Sequence, residues 1–138
     1  MQYQQFIKRV QDYVNIGDRE EATRATSAAL QTIAERLAGN EASELFAQLP
    51  KDLIAALPPD ADQAYEKFGV DEFLRRVAER AGVDDASAQR YAQAVMKVLH
   101  EAVSPGEMRD VRVQFPPEFA VLFAMDEVHA RAVGDGSA

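Results

Sequence analysis

The chain contains no cysteine, which excludes disulfide scaffolds, thiol nucleophiles and thiolate metal sites. Glycine and proline are sparse, seven and six residues among 138, so collagen-like and low-complexity chains are excluded too. Imidazole is limited to His100 and His129. No stretch approaches the roughly 20 apolar residues of a membrane span, and the start, Met1-Gln2-Tyr3-Gln4-Gln5-Phe6, offers neither the basic flank nor the apolar run of a signal peptide. Positive charge is short as well: 15 Lys and Arg against 23 Asp and Glu give a formal net charge of −8, which repels phosphate backbones and anionic bilayers. The expectation is a soluble cytoplasmic domain with no membrane role and no nucleic-acid role.

Hydrophobic residues make up 47% of the chain and charged residues 28%, enough apolar material for the core of one domain and too much for a disordered chain. That material is organised twice. Gln5-Phe6-Ile7-Lys8-Arg9-Val10 returns as Glu72-Phe73-Leu74-Arg75-Arg76-Val77. After a one-residue slip near Gly17, Ala22, Arg24, Ala28, Glu35, Glu41, Gln48 and Pro50 recur as Ala88, Arg90, Ala94, Glu101, Glu107, Gln114 and Pro116. Leu30, Ile33, Leu37, Leu45, Leu49, Leu53 and Leu57 align with Met96, Leu99, Val103, Val111, Phe115, Phe119 and Phe123, so the two halves are expected to bury equivalent faces.

Within each half the period is helical. Tyr91, Ala92, Val95, Met96, Leu99, Ala102 and Val103 fall on one stripe of a long helix, and its counterpart runs from about Glu20 to Ala38 with Ala22, Ala25, Ala29, Leu30, Ile33 and Leu37 inward. Ser104-Pro105-Gly106-Glu107 reads as a capping box that opens a further helix. Gly39-Asn40-Glu41 serves the same purpose in the first half, with Gly39 ending one helix and Asn40 capping the next. Pro50 and Pro116 break the chain again ahead of a short last helix. Val111 to Phe115 is the nearest approach to a strand, but its counterpart Leu45 to Leu49 reads as helix. The predicted fold is all-α: two tandem four-helix repeats, about 1–57 and about 68–123, joined by a short linker 58–67 and packed about a pseudo-two-fold axis as one domain, with a tail 124–138 that frays from Gly134.

Residues able to do chemistry are few. His100 stands where the first half has Ala34, which suits a boundary or partly buried histidine rather than a catalytic one. Asp60-Ala61-Asp62 begins like a calcium loop, but Ala64, Tyr65 and Asp71 occupy the positions of the third ligand, the glycine and the bidentate acid, so that reading fails. Asp84-Asp85 and Asp126-Glu127 are paired acids, the first placed where a helix N-terminus favours negative charge. No phosphate-cradling glycine loop, nucleophile elbow or His-Glu-x-x-His pattern occurs, and no cofactor is implied. Arg75, Arg76 and Arg80, with Arg109 and Arg112 as further candidates, form the positive cluster; Glu72 and Glu79 are placed to pair with it. The polar pairs Arg9 and Arg76, Arg24 and Arg90, and Gln48 and Gln114 recur in both halves and read as structural bonds to helix ends.

Several motifs fall in order along the chain: Tyr3-x-x-Phe6 with Arg9-Val10, then Glu35-Arg36-Leu37, then Ala47-Gln48-Leu49-Pro50. The second half adds Phe73-Leu74-x-x-Val77-Ala78-x-x-Ala81-Gly82-Val83 and Gln114-Phe115-Pro116-x-Glu118-Phe119. Together they resemble the uncharacterised bacterial family called domain of unknown function 2267, from Tyr3 to Phe123. The resemblance implies a fold but no activity. Some members of similar pattern are fused to small regulatory or ligand-sensing domains, which implies a regulatory or interaction role.

The expected function is therefore a non-enzymatic protein-interaction or regulatory module. Its expected contact surface is apolar, from Phe115, Phe119 and Phe123 with Leu122 and Met125, and takes a protein partner or a second copy of the chain. The alternative is a small anionic ligand in a cleft between the repeats lined by Arg76, Arg80 and Arg90.

Overall fold

In the first half, Tyr3, Phe6, Ile7 and Val10 recur at helical spacing and form helix α1 (Tyr3–Val14), which buries Phe6, Ile7 and Val10. The computed structural model describes residues 1–15 and 18–123. The slip near Gly17 and everything expected of the tail, including Met125, Asp126-Glu127 and His129, lie outside the described residues. α1 stops at Asn15, whose backbone is left-handed at φ 57°, a conformation that asparagine tolerates better than most residues. Helix α2 (Arg19–Glu35) opens on Asp18, whose carboxylate accepts the N–H groups of Glu20 and Glu21 at 2.9 and 3.2 Å. It ends earlier than its apolar stripe predicts: the Arg36 and Leu37 N–H groups turn back to Ile33 and Ala34, and Gly39, at φ 62°, redirects the chain.

Helices α3 (Glu41–Ala47) and α4 (Lys51–Ala55) flank the break at Pro50, and a short 3₁₀ turn (Ala61–Gln63) follows. Asn40 stands at the N-cap of α3, but its side chain makes no capping bond; with φ −95° and ψ 7° its backbone departs from the extended geometry that aims a cap side chain at the following N–H groups.

In the second half, α5 (Val70–Ala81) ends on Gly82 at φ 69°, where the N–H groups of Gly82 and Val83 both return to the Ala78 carbonyl. Helix α6 (Asp85–Ala102) starts on Asp84, which accepts the Ser87 N–H at 2.7 Å. That bond holds the Asp84 carboxylate below its ordinary pKa, so the acid pair at residues 84–85 serves a helix start. Helix α7 (Pro105–Arg112) follows Ser104 with Pro105 in its first turn. Val111 to Phe115 spans its end and the next turn, and no strand occurs among the described residues. A 3₁₀ helix (Pro117–Phe123) closes the described chain.

The two long helices α2 and α6 pack on each other at the centre. α1 lies against both of them, and so does α5; α3 meets α7. One apolar core draws on every α-helix, with the alanines of α2 and α6 fully covered where these helices approach. The 3₁₀ helix Pro117–Phe123 packs on α6 and folds its rings inward. Phe119 meets Phe73 and Phe115 edge-on, with centroids 5.7 and 5.1 Å apart, and Phe123 meets Phe115 at 6.0 Å. No helix among the described residues is long and apolar enough to cross a membrane.

Candidate functional site

Among the described residues the aromatic surface expected from the sequence is absent. Phe115, Phe119, Leu122 and Phe123 are buried, with Phe119 at 0% exposure. Each ring finds another ring before it finds solvent. Among the described residues Val113, which the sequence pattern did not single out, is instead the most exposed large apolar side chain, at 75%.

The arginine cluster splits. Arg76 and Arg80, one turn apart on α5, face the buried end of α2 and share Glu35. Arg80 donates from Nη1 and Nη2 to the two Glu35 oxygens at 2.8 Å each, and Arg76 Nη1 donates to Oε1 at 3.1 Å. Arg80 also donates to the Thr32 hydroxyl at 2.9 Å. Arg76 completes its fork on Glu72 and Glu66, and its guanidinium lies 4.0 Å from the centroid of the Phe68 ring. Arg75, exposed, is held by Glu72 and Glu79. A concavity of about 320 Å³ opens here, lined by Glu35, Glu66, Arg75, Arg76, Glu79 and Arg80. Arg90 does not line it; it is exposed on α6 and bonds Ser87 on its own helix at 3.2 Å. The arginines meet carboxylates at every fork, so the concavity is not an open cationic cleft.

The other retained polar residues bond across the fold. Arg9 grips Glu101 through Nε at 3.0 Å and Nη2 at 2.9 Å, and Tyr13 joins them. Arg24 donates to the Ala81 carbonyl at 3.2 Å, at the C-terminal end of α5 where carbonyls lack partners within the helix. Gln48 accepts the Ser104 N–H at 2.8 Å, and Gln114 accepts the Ala38 N–H at 3.3 Å. His100 is exposed rather than at a boundary.

The bond from Gln48 bears on the Ser104 capping box. Ser104 accepts the Glu107 N–H at 3.1 Å, as the motif predicts. The return arm is missing because Gln48 already holds the Ser104 N–H. Glu107 turns the other way, into the seam between α7 and α3, where it meets Glu41, Glu44 and Asp110; one carboxylate oxygen from each of the four lies within 4.8 Å of the others. Glu107 is 7% exposed. Its Oε2 and that of Glu41 are buried, and no N–H or hydroxyl group reaches either, so the hydrogen bond open to the pair is a proton held between the two carboxyls. Burial, then the hydrogen bond with Glu41 and the negative charges of Glu41, Glu44 and Asp110, push the Glu107 carboxyl well above the usual carboxylate range. Sequence reading missed this group because the repeat match of Glu41 with Glu107 was spent on helix capping, although Glu-x-x-Glu and Glu-x-x-Asp at matching positions of two helices was a visible signal.

A helical chain of this layout, with these motifs in order, matches the family model of uncharacterized conserved proteins, DUF2267, over residues 3–122. The chain belongs to that family. No curated protein matches it. The match to the DUF2267 family takes in α1 through the 3₁₀ helix, and therefore both the Glu35 network and the four-carboxylate seam.

Proposed function

We propose that the chain is a non-enzymatic, cytoplasmic regulatory or protein-interaction module, made of two tandem four-helix repeats about a pseudo-two-fold axis, which responds at the seam between α3 and α7. Reciprocal bonds support the repeat arrangement. In the register of the sequence repeat, Arg9 corresponds to Arg76, Glu35 to Glu101 and Gln48 to Gln114. Arg9 pairs with Glu101 while Arg76 pairs with Glu35. Gln48 reaches the residue before α7, and Gln114 reaches the residue at its matching position, Ala38. Likewise α1 packs on α6 and α5 on α2. An axis relating the halves passes between α2 and α6 and between α3 and α7, where Glu41 meets its own counterpart, Glu107.

The observation that carries the regulatory reading is this meeting. Two equivalent glutamates face each other in a buried seam with no donor on the oxygens between them, an arrangement that destabilises closure unless a proton or another cation lies between them. Closure of the seam is then conditional on the solution. Opening would uncover Ala42 and Leu45 of α3 and Met108 and Val111 of α7, all buried in the closed form, as an apolar face for a partner. The anion-binding alternative has weaker support, because an anion at Arg76 and Arg80 must displace Glu35 from both. Affinity capture from lysate with the wild type and with Glu107→Gln tests the proposal: a protein retained by the wild type and lost with the closed-seam variant supports it. Identical sets for both, or nothing retained by either, refutes it.

A further inference from the structure

We infer that Glu41, Glu44, Glu107 and Asp110 form a binding site for one hard divalent cation of the calcium class, which ties α3 to α7. The inference rests on the seam reading above and names the solute that closes it. Its chemistry follows from the donor set. Four carboxylates, with no nitrogen or sulfur among them, select hard cations over zinc or copper. Their oxygens lie within 4.8 Å of one another, no farther apart than two calcium–oxygen bonds of about 2.4 Å placed end to end. Four oxygens no farther apart than that lie within about 2.9 Å of a common centre, so an inward shift of about half an ångström brings all four onto one ion.

The cluster differs from an ordinary acidic surface patch in what is buried. Glu107 is 7% exposed and sits on the inner side of the group, with its Oε2 unpartnered and facing Glu41, whose Oε2 is unpartnered as well. An ionised carboxylate oxygen is an acceptor only, so with both glutamates ionised nothing within the cluster satisfies either atom, whereas a cation, like a shared proton, satisfies both together. Glu44 and Asp110 are exposed and Glu41 half-buried, which gives the ion a path from solvent and room for water as remaining ligands. Two ligands come from each half, so an ion bound here is a cross-link between them.

The experiment treats the whole chain with a chelator, removes it, and titrates in calcium, magnesium or manganese at matched ionic strength. The readouts are calorimetry, thermal unfolding and, for manganese, the loss of the free-ion paramagnetic resonance signal. Saturable binding of at least one ion with a dissociation constant of about 1 mM or tighter, the weak end of protein calcium sites, is expected, with a rise in Tm that follows occupancy. Glu107→Gln and the exposed substitution Asp110→Asn should each weaken binding by about tenfold or more, the loss expected when a metal's supporting groups are removed. Asp110→Asn keeps the test decisive should the buried substitution impair folding. Absence of saturable binding for all three ions overturns the inference, as does affinity unchanged in both variants. The seam reading itself is tested separately by hydrogen exchange without ions, so failure of the cation leaves a distinct signature from failure of the seam.

Discussion

Replacing Glu35 by glutamine removes the carboxylate that two arginines share. The side chain is only 11% exposed, against 14% for Arg76 and 27% for Arg80. Glutamine keeps the shape and one acceptor oxygen but turns an amide NH₂ toward guanidinium donors. Breaking a buried pair on one side costs 3–5 kcal/mol, and the low end, about 3 kcal/mol, applies here because Arg80 is partly hydrated. Arg76 also retains Glu72 and Glu66. In a domain of this size that loss lowers Tm by roughly 10 °C. Urea unfolding of Glu35→Gln, Arg80→Met and the double variant closes a cycle, with an expected coupling of about 1.5 kcal/mol or more, and the double variant recovers part of the loss because no charge is stranded. A cost for Glu35→Gln below about 1 kcal/mol, the range of exposed pairs, would refute the assignment of this network as the buried link between α2 and α5.

Other outcomes follow from the same contacts. Phe119→Ala should cost about 3–5 kcal/mol in urea unfolding, the loss for a fully buried ring, whereas a ring on a docking surface would cost little. Gln48→Ala, which frees the Ser104 N–H at the start of α7, should cost about 1 kcal/mol, and hydrogen exchange should rise in the first turn of α7. With chelator present, stability should fall as pH climbs from the ordinary glutamate value of 4.5 to about 8. Over that window the folded state keeps a proton on Glu107 that the unfolded chain has lost, so the stabilisation present below the unfolded pKa disappears through the folded one. Glu107→Gln removes the titrating group and should flatten this dependence, as read by unfolding midpoints across the pH series.

Much of the fold was legible because periodicity and end chemistry are local. The stripe from Tyr91 to Val103, Asp84 before α6, Gly82 after α5 and Ser104 before α7 each act through neighbours a turn away. The direction a side chain takes in three dimensions is not local. Phe115, Phe119 and Phe123 are as apolar as a docking surface requires, and nothing in their spacing says that the chain folds Phe115 and Phe119 onto Phe73 and Phe123 onto Phe115. The pairing of Arg76 and Arg80 with nearby glutamates was readable for Glu72, one turn away, but not for Glu35, which arrives from α2. The carboxylate seam was half visible. Glu41 and Glu107 recur in register, but only the packing of α3 on α7 brings a residue and its repeat counterpart face to face.

Hydrogen exchange resolved along the chain, in chelator, tests the account most directly. α3 and α7 should exchange by local opening, well ahead of the α2–α5–α6 core, and Glu107→Gln should slow exchange in these two helices alone. Exchange of α3 and α7 at the rate of the core in the wild type, unchanged by Glu107→Gln, would contradict it.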